Sequence, residues 1–371
     1  MLKRFETENY KGFSKRLIWD LNARDYSFNR HLVQSGIVNK AIIYGKNGIG
    51  KSTLGLALFD ITLHLTDNER INAGYLSNYT NLHQPDDPVS FTYVFQFEND
   101  EVIYNYQKSG PDYLLNEQLF FNSEKVLDYD YFDEEKQYIS EKLKSSLNID
   151  LADNKLSVIK FIYRNTPTNF NVLLTKMVRY CENMLWYRSL SDGNMYAGFT
   201  NGVTALVENL YQKGKLKEFE QFLRENGLEY DLKFVPLNGK HELMAVFSDG
   251  NHQNMTPFTS IASTGTMALF LFFTWQTMAF DRLSFLFIDE FDAFLHFESA
   301  ENLIKLLNEN KTFQSALTTH NTSLISNSIT RPDCCFIMTD NRITSFANAT
   351  NRELREGHNL EKLYKSGEFG G

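Results

Sequence analysis

Cysteine is scarce. The 371 residues hold 3, at Cys181, Cys334 and Cys335, and neither a zinc-ligand spacing nor a disulfide framework can be built from them. The adjacent pair lies in an apolar, strand-like run before Phe336-Ile337-Met338 and reads as buried thiols of a reducing compartment. An excess of basic residues is also missing. Lys+Arg number 37 against 46 Asp+Glu, for a formal net charge of −9. That excludes a general nucleic-acid coat and leaves DNA a candidate partner only through a local basic patch. Met1-Leu2-Lys3-Arg4-Phe5-Glu6 lacks the apolar core of a secretion signal. The longest apolar run, Met267 to Phe280, is too short for a bilayer and is broken by Thr274 and Gln276. No internal repeat or low-complexity segment stands out. A cytoplasmic protein with no membrane segment is expected.

What is present in quantity is aromatic: 31 Phe and 19 Tyr predict an aromatic-rich core. The stretch that organises the rest is Gly45-Lys46-Asn47-Gly48-Ile49-Gly50-Lys51-Ser52-Thr53, which satisfies G-x-x-x-x-G-K-[ST] at every position. Its context fits: Ala41 to Tyr44 reads as a buried strand and Leu54 to Leu65 as a helix. The glycines let successive backbone N–H groups turn toward phosphate oxygens, and the helix start presents its positive end to the same anion. Lys51 is placed to reach the β- and γ-phosphates of ATP, and the Ser52 hydroxyl to ligate Mg²⁺.

The second half of the site lies far along the chain. Phe285-Leu286-Phe287-Ile288 is a continuous apolar run, as for a strand covered on both faces, and it ends in Asp289-Glu290. Asp289 reads as a Mg²⁺ ligand through water, and Glu290 as the group that polarises the attacking water. The next strand, Phe313 to Leu317, runs into Thr318-Thr319-His320, where an imidazole can reach a γ-phosphate. Ser263-Thr264-Gly265-Thr266 opens an apolar helix and offers free N–H groups and hydroxyls to an anion; alone it is a capped helix start.

Around these motifs, residues 2–20 read as two strands joined by a turn at Lys11-Gly12. Val89 to Phe97 and Glu101 to Gln107 read as a hairpin across Asn99-Asp100. Residues 108–228 read as a mostly helical insertion, with helical apolar spacing over Leu156 to Trp186 and Val203 to Arg224. The acidic cluster Asp128, Asp130, Asp133, Glu134 and Glu135 meets no metal-ligand spacing and reads as a solvated loop. Leu232 to Val235 and Glu242 to Phe247 read as strands.

Taken together, these pieces resemble the ABC-class ATPase head, in the branch shared by SMC, RecF and OLD-type proteins. Leu2 to Phe13 looks like that branch's opening strand, Ser263 to Thr266 like its signature motif, Phe285 to Glu290 like its Walker B strand. Asp292 occupies the D-loop position and His320 that of the switch histidine. The segment Glu353 to Gly371 resembles the closing segment of OLD/RloA-like ATPases. The resemblance does not extend over most of residues 108–228.

It implies an α/β P-loop NTPase: an ABC-type ATPase head with a mixed central sheet and an inserted helical subdomain. Residues 1–107 and 229–371 would form the head and 108–228 the insertion. It further implies two copies closing head to tail around ATP, the loop Gly45–Thr53 of one facing Ser263–Thr266 of the other, with Glu290, His320 and Lys51 catalytic. OLD nucleases continue into a Toprim domain. None follows here, so a separately encoded effector is expected, such as a Toprim or HNH nuclease, answering a phage trigger protein in antiphage defence. The alternative is a RecF/SMC-like DNA repair ATPase.

Overall fold

A computed structural model describes residues 1–67, 77–144, 156–189, 196–198, 206–248 and 252–370. A seven-stranded sheet runs through the centre in the order Tyr196–Gly198, Met184–Arg188, Phe285–Asp289, Gln314–Thr319, Lys40–Tyr44, Cys335–Thr339, Arg342–Ser345. The five inner strands are parallel, and both edges are antiparallel. Inner strands of this kind need apolar residues on both faces, and the alternation shows where each face goes. Ala41, Ile43, Phe285, Phe287, Phe336 and Met338 enter one core; Ile42, Tyr44, Leu286, Ile288, Cys335 and Ile337 enter the other.

The first core is closed by a second, all-antiparallel sheet of seven strands, ordered Gln137–Ile139, Glu124–Asp130, Tyr113–Phe121, Asp100–Gly110, Val89–Phe97, Leu2–Glu8, Leu17–Asp20. Trp19 from this sheet meets Phe285 and Phe336 of the central one edge-on, at 6.4 and 5.9 Å between centroids. The expected aromatic core is found in the seam between the sheets and again in the second core, where Phe219 stacks on Phe270 at 4.5 Å. The second core is covered by the helices Leu206–Gln212, Leu216–Glu225, Thr264–Ala279 and Phe297–Glu309. Thr264–Ala279 is apolar around most of its circumference, as a buried helix must be. The cysteines are free and buried. Among the described residues no helix is long and apolar enough to cross a membrane.

Three local expectations are corrected. Within 108–228, the part up to Ile139 is strand rather than helix. Its outward positions are polar, and buried Lys108 and Glu117 interrupt the apolar alternation that marks a strand. Among the described residues of that span the α-helices are Val158–Asn165, Val172–Glu182, Leu206–Gln212 and Leu216–Glu225, and Val203 lies outside the described residues. Asp128 and Asp130 accordingly sit on a strand. The helix after the phosphate loop is broken at Phe59 into Lys51–Leu58 and Asp60–Leu65. The hairpin turns at Glu98-Asn99, with Glu98 at φ +57°, because Phe97 pairs with Asp100.

The break at Phe59 aims Asp60 into a buried polar network. Lys108 Nζ lies 2.7 Å from Asp60 Oδ1, and the Tyr106 and Tyr79 hydroxyls donate to Oδ1 and Oδ2 at 2.8 and 2.7 Å. His64 Nδ1 stands 3.7 Å from the same carboxylate, and its Nε2 meets the Tyr104 hydroxyl at 2.9 Å. Tyr104 and Tyr131 donate to Glu117, joined by Ser157 Oγ at 2.6 Å and the Val158 amide at 2.8 Å. Burial opposes a charged Asp60, but Lys108 and His64 together outweigh it and hold the carboxyl well below its usual range. Burial lowers His64 to about 4, with Lys108 adding to the effect.

Candidate functional site

The inner strands deliver their C-terminal ends to one edge of the sheet, where open α/β sheets bind ligands. Lys40–Tyr44 turns there into Gly45. Gly50 caps the next helix at φ +107°, and a Cβ on it would lie 2.9 Å from the Phe13 ring, so only glycine fits. No side chain caps this helix start, which leaves first-turn amides for an anion. Lys51 is 6% exposed, and its Nζ donates to the carbonyls of Gly45 and Lys46 at 2.8 and 3.0 Å. Burial lowers its pKa, while Asp289, Glu290 and Asp292 pull it back up. The ammonium thus lies across the loop, within the field of three carboxylates.

Asp289 ends its strand fully buried. Its Oδ1 accepts from Thr318 Oγ1 at 2.7 Å, and the Ser52 side chain lies beside the carboxylate. Burial nevertheless raises its pKa, and Oδ2 is buried with no hydrogen-bond partner. A buried carboxylate oxygen without a hydrogen-bond partner, beside a serine hydroxyl, fits a divalent cation: hard oxygen donors with capacity unspent. Glu290 follows at φ +50°, a left-handed backbone that non-glycine residues seldom adopt. Its amide donates to Thr318 Oγ1 at 2.8 Å. This strained turn directs consecutive carboxylates differently, Asp289 inward and Glu290 toward the cleft.

Asp292 accepts from Thr319 Oγ1 at 2.9 Å through Oδ2, while Oδ1 is buried without a partner. Burial raises this carboxyl too, and nearby His320 draws it down. His320 itself is exposed at the strand's tip. Lys51, Ser52, Asp289, Glu290, Asp292 and His320 thus come together from three separate stretches of chain.

Ser263, Thr264, Gly265 and Thr266 stand apart. Ser263 Oγ accepts from the Thr266 amide at 3.1 Å, capping the helix. A Cβ on Gly265 would lie 2.6 Å from the Phe294 carbonyl, so backbone packs there directly on backbone. Among the described residues, no hydrogen bond or ion pair joins Ser263–Thr266 to Gly45–Thr53.

The sequence reading missed Arg188. It ends the strand Met184–Arg188, in register with Asp289, and its Nε and Nη2 both donate to Glu290 Oε2, at 3.2 and 2.6 Å. The signal was available: Met184-Leu185-Trp186-Tyr187 is an apolar run ending in a charge, the same form as Phe285 to Asp289.

A family described as "AAA domain, putative AbiEii toxin, Type IV TA system" matches residues 40–326, from the phosphate-loop strand to beyond His320. No curated protein matches the chain. Solved structures similar to it include the SMC head bound to the C-winged helix domain of ScpA, at 14% identity and TM-score 0.45, covering 93% of this chain and 97% of that one. The SMC head domain from Thermotoga maritima follows at 15% identity and TM-score 0.42, covering 93% and 98%. The SMC head domain with an extended coiled coil from Pyrococcus furiosus, bound to the C-terminal domain of ScpA, aligns at 13% identity and TM-score 0.44, covering 98% of each chain. With the family match and the mixed central sheet, the fold is that of a P-loop ATPase of the AAA/ABC type.

Proposed function

The chain belongs to the AAA domain family that spans its residues 40–326, and from that premise we propose that it binds and hydrolyses ATP as a switch subunit. One observation carries the reading. A Gly-rich loop with an uncapped helix start, a buried lysine and an orphaned buried carboxylate oxygen meet at one edge of the sheet.

In this proposal Gly45, Lys46, Asn47, Gly48, Ile49 and Gly50 turn their amides to the phosphates, with Ser52 and Thr53 at the helix start. Lys51 exchanges the Gly45 and Lys46 carbonyls for phosphate oxygens. Ser52 and, through water, Asp289 would hold Mg²⁺, which when bound neutralises charge on the phosphate oxygens. Glu290 accepts a proton from the water whose oxygen bonds to the γ-phosphorus as the bond to the ADP oxygen breaks. His320 contacts the γ-phosphate. Ser263–Thr266, unconnected to the loop of their own chain, act on the nucleotide of a second copy, so ATP closes a head-to-tail pair and hydrolysis opens it.

The switch would serve antiphage defence. It would respond to a phage trigger protein and control a separate effector, a Toprim or HNH nuclease; the family's description as part of a Type IV TA system supports a two-component arrangement. We further propose residues 1–107 and 229–371 as the head, completed by the strand Met184–Arg188 of its central sheet, and the outer part of 108–228 as the surface for that effector.

Glu290→Gln tests the reading. It should lower hydrolysis roughly 10²- to 10⁴-fold while ATP binding persists, and ATP should then double the particle size on sizing. A variant that hydrolyses ATP at the wild-type rate would refute Glu290's role, and a particle size indifferent to ATP would refute the closed pair.

A further inference from the structure

Arg188 has no part in the scheme above, yet its guanidinium lies against two carboxylates of the site, Glu290 and Asp289. Strand pairing sets it opposite Asp289, and the Ser189 amide donates to the Asp289 carbonyl at 3.3 Å, so the backbone beneath the side chain is fixed. Nε and Nη2 converge on one oxygen, Glu290 Oε2, while Nε stays 3.7 Å from the orphaned Asp289 Oδ2. Two donors on a single oxygen forgo the forked, two-oxygen pairing that makes arginine–carboxylate bonds strong. Both partners are also about a third exposed, Arg188 35% and Glu290 33% in their side chains, where such pairs are weak. The clamp is therefore well formed but replaceable.

We infer that Arg188 distinguishes a triphosphate from a diphosphate: it clamps Glu290 until a γ-phosphate arrives, then turns to that phosphate and releases Glu290 to the attacking water. The chemistry favours the exchange. A terminal phosphate carries more charge than one carboxylate and offers three oxygens to a planar guanidinium. The edge already gathers Asp289, Glu290 and Asp292 against the single ammonium of Lys51, so a polyanion entering it gains from a second cation. A diphosphate ends one phosphate short of Glu290 and leaves the clamp shut. The inference rests on the ATPase reading above.

The test measures affinities for Mg²⁺-ADP and for a Mg²⁺-bound non-hydrolysable ATP analogue, with kcat and KM, in the wild type, Arg188→Ala and Arg188→Lys. Arg188→Ala should lose roughly 10- to 100-fold in affinity for the triphosphate analogue, keep its affinity for ADP, and fall in kcat. Arg188→Lys, which restores the charge but not the fork, should recover part of the triphosphate affinity. Equal losses for both nucleotides, or none for either, would overturn the inference while leaving the ATPase reading standing. A wild-type chain that binds neither nucleotide would overturn both.

Discussion

Two groups of buried carboxylates in this fold are treated in opposite ways. Asp60 and Glu117 are saturated: ammonium, hydroxyl and amide donors surround them, all supplied by the chain. Asp289 and Asp292 are also buried, yet each keeps one oxygen with no hydrogen-bond partner. The first group joins the helix Asp60–Leu65 to the antiparallel sheet and to the start of Val158–Asn165. The second group has spare capacity, held open by the sheet. A polar group satisfied from within serves the fold, whereas one left short is a place for something from outside.

The comparison is broken most forcefully by taking away a partner on the saturated side. Lys108→Met strands Asp60 in the core and should cost about 3–5 kcal/mol, read by denaturant unfolding. A loss no greater than that of the exposed Lys136→Met would mean the network contributes nothing to stability. The same network sets a pH dependence. His64, ordinarily near 6.5, titrates at about 4 in the fold, so the unfolded chain takes up its proton first as the pH drops. Stability should fall between pH 6.5 and 4 by on the order of 3 kcal/mol from this group, and His64→Phe should flatten that slope. Burial moves Glu117 upward instead, so its protonation offsets part of the fall toward the acid end.

The smallest effect is the most discriminating. Asp289→Asn removes a charge that burial disfavours, so the fold should be unchanged or gain up to about 1 kcal/mol, while hydrolysis is lost. A destabilisation like that of Lys108→Met would put Asp289 with the structural group and end the contrast.

Much of the site was legible because its strands announce themselves. Ala41 to Tyr44 and Phe285 to Ile288 are unbroken apolar runs that end in residues with chemistry. The antiparallel extension was not, since Lys108 and Glu117 sit at core positions where apolar residues mark a strand. Met184–Arg188 was hidden for another reason: only Asn183 separates it from the helix Val172–Glu182, so the two apolar patterns run together. The pairing of Arg188 with Glu290 spans 102 residues, and no local pattern reports a contact set by strand order.

The central claim, that the unsaturated edge exists to hold a triphosphate, is met most directly by thermal unfolding with and without Mg²⁺-ATP in the wild type and in Lys51→Ala. The account predicts a Tm that rises with nucleotide concentration in the wild type, as binding to the native state alone requires, and stays flat in Lys51→Ala. A wild-type Tm indifferent to Mg²⁺-ATP, or an equal rise in both proteins, would contradict it.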